Sequence, residues 1–128
     1  MIGSRNKEKL IEKTINEAQA AGSYDVLTAV GDVEIIRYVL FQNTAGATFT
    51  SMSIQSNDTT PLVLMSDVEG ALANLTAQKN MDVARPNDAP FTLRSGKKIQ
   101  HTMVGATGTG EMKALFIWRP ISVGAYVY

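Results

Sequence analysis

The chain has no cysteine, a single histidine and no net charge, and each shortage removes a class of function. Without cysteine there is no disulfide frame, no thiolate nucleophile and no zinc-finger ligand set. That suits a protein made in a reducing cytoplasm, or one that needs no covalent locks. The one histidine, His101, has no Cys, Asp or Glu beside it at metal-ligand spacing, so neither a metal nor any other cofactor is expected. Twelve basic residues balance twelve acidic ones. A free nucleic-acid binder normally carries a basic excess, because neutralising phosphate supplies much of its affinity. Apolar runs fall short of the roughly 18 to 20 residues that cross a bilayer. The first residues, with Arg5, Lys7, Lys9 and Lys13 among Glu8, Glu12 and Glu17, lack the apolar centre of a secretion signal. Neither a nucleic-acid nor a membrane partner is expected.

What is present is β-strand pattern. The 128 residues, 45% hydrophobic and 19% charged, suit one folded domain. Residues 1–22 read as an N-terminal arm or short helix and 23–128 as a β-sandwich domain. Within Asn6–Ala21 the apolar Leu10, Ile11, Ile15 and Ala18 recur at helical spacing, and Gly22 is a suitable stop. Beyond it the period becomes two. Strands are expected at Asp25–Val30 and Val33–Gln42 around a Gly31-Asp32 turn, then at Thr48–Gln55 and Leu62–Met65. Val33–Gln42 is apolar on both parities, as a strand covered on both sides, or once by its own core and once by a partner, would be. In Thr48–Gln55, Met52 and Ile54 share a face with Thr48 and Thr50, and Phe49 stands apart. Ser66 and Glu69 fit a capping box, which predicts a short helix over Asp67–Leu75. Phe91–Arg94, Lys97–Val104, Glu111–Arg119 and Ile121–Tyr128 complete seven or eight strands. The fold class expected is all-β, a jelly-roll-like β-sandwich.

Few residues carry chemistry. The run Gly105–Gly110 is followed by a strand and by Glu111, whereas a phosphate cradle needs a helix and a cation; a long hairpin loop is expected there. His101 alternates with Ile99 and Met103, as a structural or interface histidine would. Asp25, Asp32, Asp58, Asp67, Asp82 and Asp88 all fall at turns or element ends, where Asp serves local geometry. No catalytic constellation emerges, so the chain is not expected to be an enzyme. Phe116 and Trp118 share one face and read as core. Tyr126 and Tyr128 share another, and Tyr is enriched at interface hot spots.

Two stretches carry a resemblance. Ala47–Pro61, ATFTSMSIQSNDTTP, and Ser95–Gly110, SGKKIQHTMVGATGTG, resemble small virion proteins of tailed bacteriophages. With the order of strands that follows, the stretch from Glu17 to Tyr128 resembles the capsid decoration, or cement, proteins with a jelly-roll fold. The resemblance implies a dimer or trimer on the outside of the mature head, bound to the major capsid protein, and made in the bacterial host cytoplasm. Candidate contact residues are Leu10, Ile11 and Ile15 in the N-terminal segment, Arg85 and Asn87 in the loop Arg85–Pro90, and Tyr126 with Tyr128. Alternatives are a neck, tail or fibre-associated β-sandwich of the virion, or a carbohydrate-binding jelly roll.

Overall fold

The computed structural model describes residues 7–81, 83 and 90–128, with 45–48 described by backbone alone. Among the described residues eight strands follow one another: β1 (Lys9–Asn16), β2 (Gly22–Val30), β3 (Val33–Ser56), β4 (Val63–Met65), β5 (Lys79–Asn80), β6 (Phe91–Leu93), β7 (Lys98–Pro120) and β8 (Tyr126–Val127). Two of them set the architecture. β3 has 24 residues and β7 has 23, and they pair antiparallel from Val33 opposite Pro120 to Ser56 opposite Ile99. A straight strand of that length would be roughly 80 Å long. A compact chain of this size has a radius of gyration of only about 14 Å. The ribbon must therefore fold over on itself.

It folds where its register breaks. Shifts cluster from Gln42 to Ser51 on β3, opposite Val104 to Met112 on β7. Gly105 and Gly110 have φ of 102° and 95°, a left-handed conformation that costs glycine little and other residues much. Between them Gly108 is buried against the chain: a Cβ there would stand 2.3 Å from a Phe49 ring carbon and 2.6 Å from the Glu17 carbonyl oxygen. The expected loop at Gly105–Gly110 is thus not a loop. It is the bent centre of one continuous strand, and its glycines supply the turn and the clearance.

Folding the ribbon produces two layers. One holds β6 and β5, the first half of β3, the second half of β7, and β1. The other holds β4, the second half of β3, the first half of β7, β2 and β8. Between them lies a single core drawing Ile15, Ile35, Leu40 and Phe116 from the first layer and Leu27, Met52, Ile54 and Ile99 from the second. Tyr38 joins the layers directly. It sits opposite Phe116 in the first layer, and its hydroxyl donates to the Leu64 carbonyl of β4, in the second, at 2.9 Å. The molecule is an all-β, jelly-roll-like sandwich.

Three local expectations are corrected. The N-terminal segment is strand, not helix, over Lys9–Asn16, because β7 offers it an open edge from Trp118 to Glu111 and the pairing overrides helical spacing. The Ser66–Glu69 capping box is made, with each residue bonding the other's backbone N–H at 2.8 and 3.2 Å. No α-helix follows, however. Gly70 is held against β3 by a 2.8 Å bond from the Met52 N–H to its carbonyl, leaving only a 3-10 turn at Leu72–Asn74. Finally, a bulge between Phe49 and Ser51 flips the parity of β3. Phe49 joins Met52 and Ile54 in the core and Thr50 faces outward.

Two substitutions test this account by urea denaturation. Tyr38→Phe removes the bond between layers and is expected to cost about 1 kcal/mol. Gly108→Ala forces a methyl into the bend and is expected to cost about 1–3 kcal/mol. Equal stability of Gly108→Ala and the parent would mean the bend is not close-packed.

Candidate interaction surfaces

The outer face of the first layer is apolar at its centre. Register places Leu10, Ile117 and Arg37 in one row across β1, β7 and β3, and Glu12, Leu115 and Val39 in the next. All six point away from the core, since Ile11, Phe116 and Tyr38 occupy the inward row between them. The side chains of Leu10, Val39, Leu115 and Ile117 line a shallow recess of about 170 Å³, with Arg37 at its side. Leu10 is 64% exposed. Single exposed apolar residues are ordinary, but a contiguous patch with a polar rim marks an interaction site. Here the rim carries both signs: Arg119 Nε meets Glu34 Oε1 at 2.6 Å, Lys113 meets Glu111 at 3.4 Å, and Arg37 and Glu12 flank the apolar rows.

A bulge creates this face. Between Ile35 and Arg37 the register of β3 slips by one residue, so Val33 and Ile35 point inward before it and Tyr38 and Leu40 after it. That slip explains why Val33–Gln42 looked apolar on both parities. Part of the apolar content is core, and part, with Val39, is surface.

The outer face of the second layer is different in kind. Ser51, Ser53 and Gln55 of β3 line an open groove of about 340 Å³ with Ser66 and Asp67, and Val63 and Val104 at its sides. None of the lining residues is aromatic, so the groove lacks the stacking platform a carbohydrate-binding reading needs. On the same layer the hydrogen bond from Gln100 at 2.9 Å, then that from Lys98 at 2.7 Å, hold the Asp25 carboxyl below its ordinary range.

At the edge of that layer β8 presents Tyr126 and Tyr128, 49% and 59% exposed, with ring centroids 6.4 Å apart. Val127 between them is buried, and β8 pairs with β2 through Ala29 and Val30. The other sequence candidates disperse. Leu10 belongs to the apolar face. Ile11 is half-buried against the core, and Ile15, 1% exposed, lies within it, so the side chain of Ile15 has no surface to offer a partner. Arg85 and Asn87 lie outside the described residues. Leu115, Ile117 and Val39 escaped notice, although the unbroken apolar run Ala114–Trp118 was a signal that both sides of β7 are apolar.

Inside the sandwich a histidine and a carboxyl are buried. His101 stacks on Tyr24 with centroids 5.3 Å apart and meets Gln19 at 3.3 Å; burial lowers its pKa to about 4. Glu17 has no exposed surface. Burial raises its carboxyl to about 7, against the pull of a hydrogen bond from Gln42, and the charge of Glu111 adds to the rise. Among the described residues no three His, Cys, Asp or Glu side chains converge to hold a metal.

No protein-family model and no curated protein matches the sequence. Among solved structures the chain is similar to one in the acidic stable capsid structure of Helicobacter pylori bacteriophage KHP30, with TM-score 0.52 and 13% identity over 97% of this chain and 94% of that one. A chain of the Ralstonia phage GP4 capsid gives TM-score 0.47 and 10% identity over 91% and 86%. At such identities a likeness is one of fold, and of these two only the first is close enough to carry it. The fold of this chain is one that a phage capsid contains.

Proposed function

We propose that the chain is a structural protein of a phage virion that binds the outside of the capsid and stabilises the mature head as a cement or decoration protein. The observation that carries this reading is the fold likeness to the KHP30 capsid chain, which takes in nearly all of both chains. Fold alone is analogy, so the surface supplies the second support. The apolar rows of Leu10, Ile117, Leu115 and Val39, rimmed by charges of both signs, suit docking onto the major capsid protein. Tyr126 and Tyr128 suit a contact between copies of the chain in a dimer or trimer, and Arg85 and Asn87 are proposed as further contacts. With zero net charge, copies repel one another little. On a repeating lattice many weak contacts add through multivalency, and no catalysis is needed.

Quantitative mass spectrometry of purified virions tests the reading. A copy number equal to the major capsid protein, or a simple fraction of it, is expected. A few dozen copies or fewer would place the chain in the neck or tail, and none would remove it from the virion. Leu10→Arg tests the face. Because Leu10 is mostly exposed, stability should change by no more than about 0.5 kcal/mol. Addition of the variant to shells lacking the protein should weaken at least tenfold; unchanged addition would exclude this face as the contact.

A further inference from the structure

We propose that Glu17 and Gln42 form a proton-operated latch, an acid–amide pair that holds the end of the N-terminal strand to the bend of the ribbon and is undone when the carboxyl ionises. The inference rests on which atoms have partners. Gln42 Nε2 donates to Glu17 Oε1 and to the Thr44 carbonyl, both at 2.6 Å. Two acceptors on one nitrogen fix which way the amide faces, for the reverse orientation would set its oxygen against both of them. Glu17 Oε2 and Gln42 Oε1 are then left buried with no hydrogen-bond partner. Both are acceptors if the carboxyl is ionised, and two buried acceptors left unpaired are costly. One proton on Oε2 answers both, since the O–H donates to Gln42 Oε1 and closes a ring with the N–H already bonded to Oε1.

The surroundings favour that proton. Glu17 is wholly buried, and the charge of Glu111 on β7, which acts on it, is of like sign. Of the cations on that strand, Lys113 donates to Thr14 Oγ1 at 2.7 Å and meets Glu111 at 3.4 Å, while Lys98 pairs with Asp25 and Arg119 with Glu34. From the other half of β7, His101 is neutral in its buried site and meets the segment only through Gln19. The Glu17 backbone is also tied to the bend, its N–H donating to the Gly110 carbonyl at 3.1 Å and its own carbonyl lying against Gly108. Ionisation therefore places a charge where β1 meets the turn of the ribbon, and relief requires this segment to move toward water.

The sign follows from the direction of each shift. A carboxyl raised from 4.5 to about 7 contributes stability that is complete below pH 4.5 and lost as pH rises through about 7. His101, lowered from 6.5 to about 4, works oppositely, losing stability as pH falls from 6.5 through 4. The direct test is a carbon-13 NMR titration of the Glu17 carboxyl in the intact chain. A midpoint near 7 is expected, and one near 4.5 would overturn the latch without any variant. Glu17→Gln then replaces the acid by an amide that makes the same two bonds and does not titrate. In the parent the two slopes oppose each other between pH 4.5 and 6.5, so the readout is the difference in melting temperature between variant and parent, which should shift in the variant's favour as pH rises from 5 to 8. A difference that does not change with pH overturns the proposal, and if the variant does not fold the carboxyl titration still decides. Backbone amides of Glu17 to Gln19 should exchange faster above the midpoint relative to those of the core strands; uniform exchange would mean that the proton holds nothing in place.

Discussion

The pairing of β3 with β7 is the constraint on which every other element depends. Two strands of more than twenty residues cannot lie straight in a chain this short, so the ribbon bends, and bending brings its two halves face to face. The inner surfaces become one core without a second sheet having to be built. β1, β5 and β6 then extend one half, and β2, β4 and β8 extend the other. The bend is also close-packed, with Gly108 pressed between Phe49 and the Glu17 backbone. The buried carboxyl sits beside that point because the chain leaving β1 has to pass over it.

Much of the fold was legible from period and punctuation. The apolar run in Glu111–Arg119 marked a strand, and Phe116 and Trp118 are core as read. The misreadings share a cause. Asn6–Ala21 has apolar residues that satisfy either period, and only the open edge of β7, residues distant in sequence, decides for strand. Phe49 was set apart from the Met52 and Ile54 face that it joins, because a bulge shifts parity by one residue and leaves no composition signal. Gly105–Gly110 has the composition of a loop, and nothing local reveals that β3 runs opposite it throughout.

The outer faces were less legible than the core. Tyr126 and Tyr128 are exposed on one face as read, but Ile15 is interior and the centre of the apolar face, at Leu115 and Ile117, was passed over. An apolar residue in a strand looks the same whether it faces core or partner; the register with Tyr38 and Leu10 distinguishes them. The latch pair was beyond sequence altogether, because Glu17 and Gln42 are 25 positions apart and each is a common surface residue type. The two outer faces also differ in chemistry, apolar on one layer and rich in serine and glutamine on the other, so the molecule has a side suited to adhering and a side suited to solvent.

The ribbon also governs the order of events during synthesis. Val33 finds its partner in Pro120, and even the nearest pair, Ser56 with Ile99, is separated by a long stretch of chain. While a ribosome is making the intervening residues, β3 has emerged with its principal neighbour still unmade, and its backbone edges stand open to any other strand. Non-local pairing of this kind is slow, and slow, edge-exposed intermediates are those that aggregate. The hazard grows with the number of copies being translated at once. For a chain with so much non-local pairing, the nascent state is where chaperone help and expression temperature have the most influence on yield.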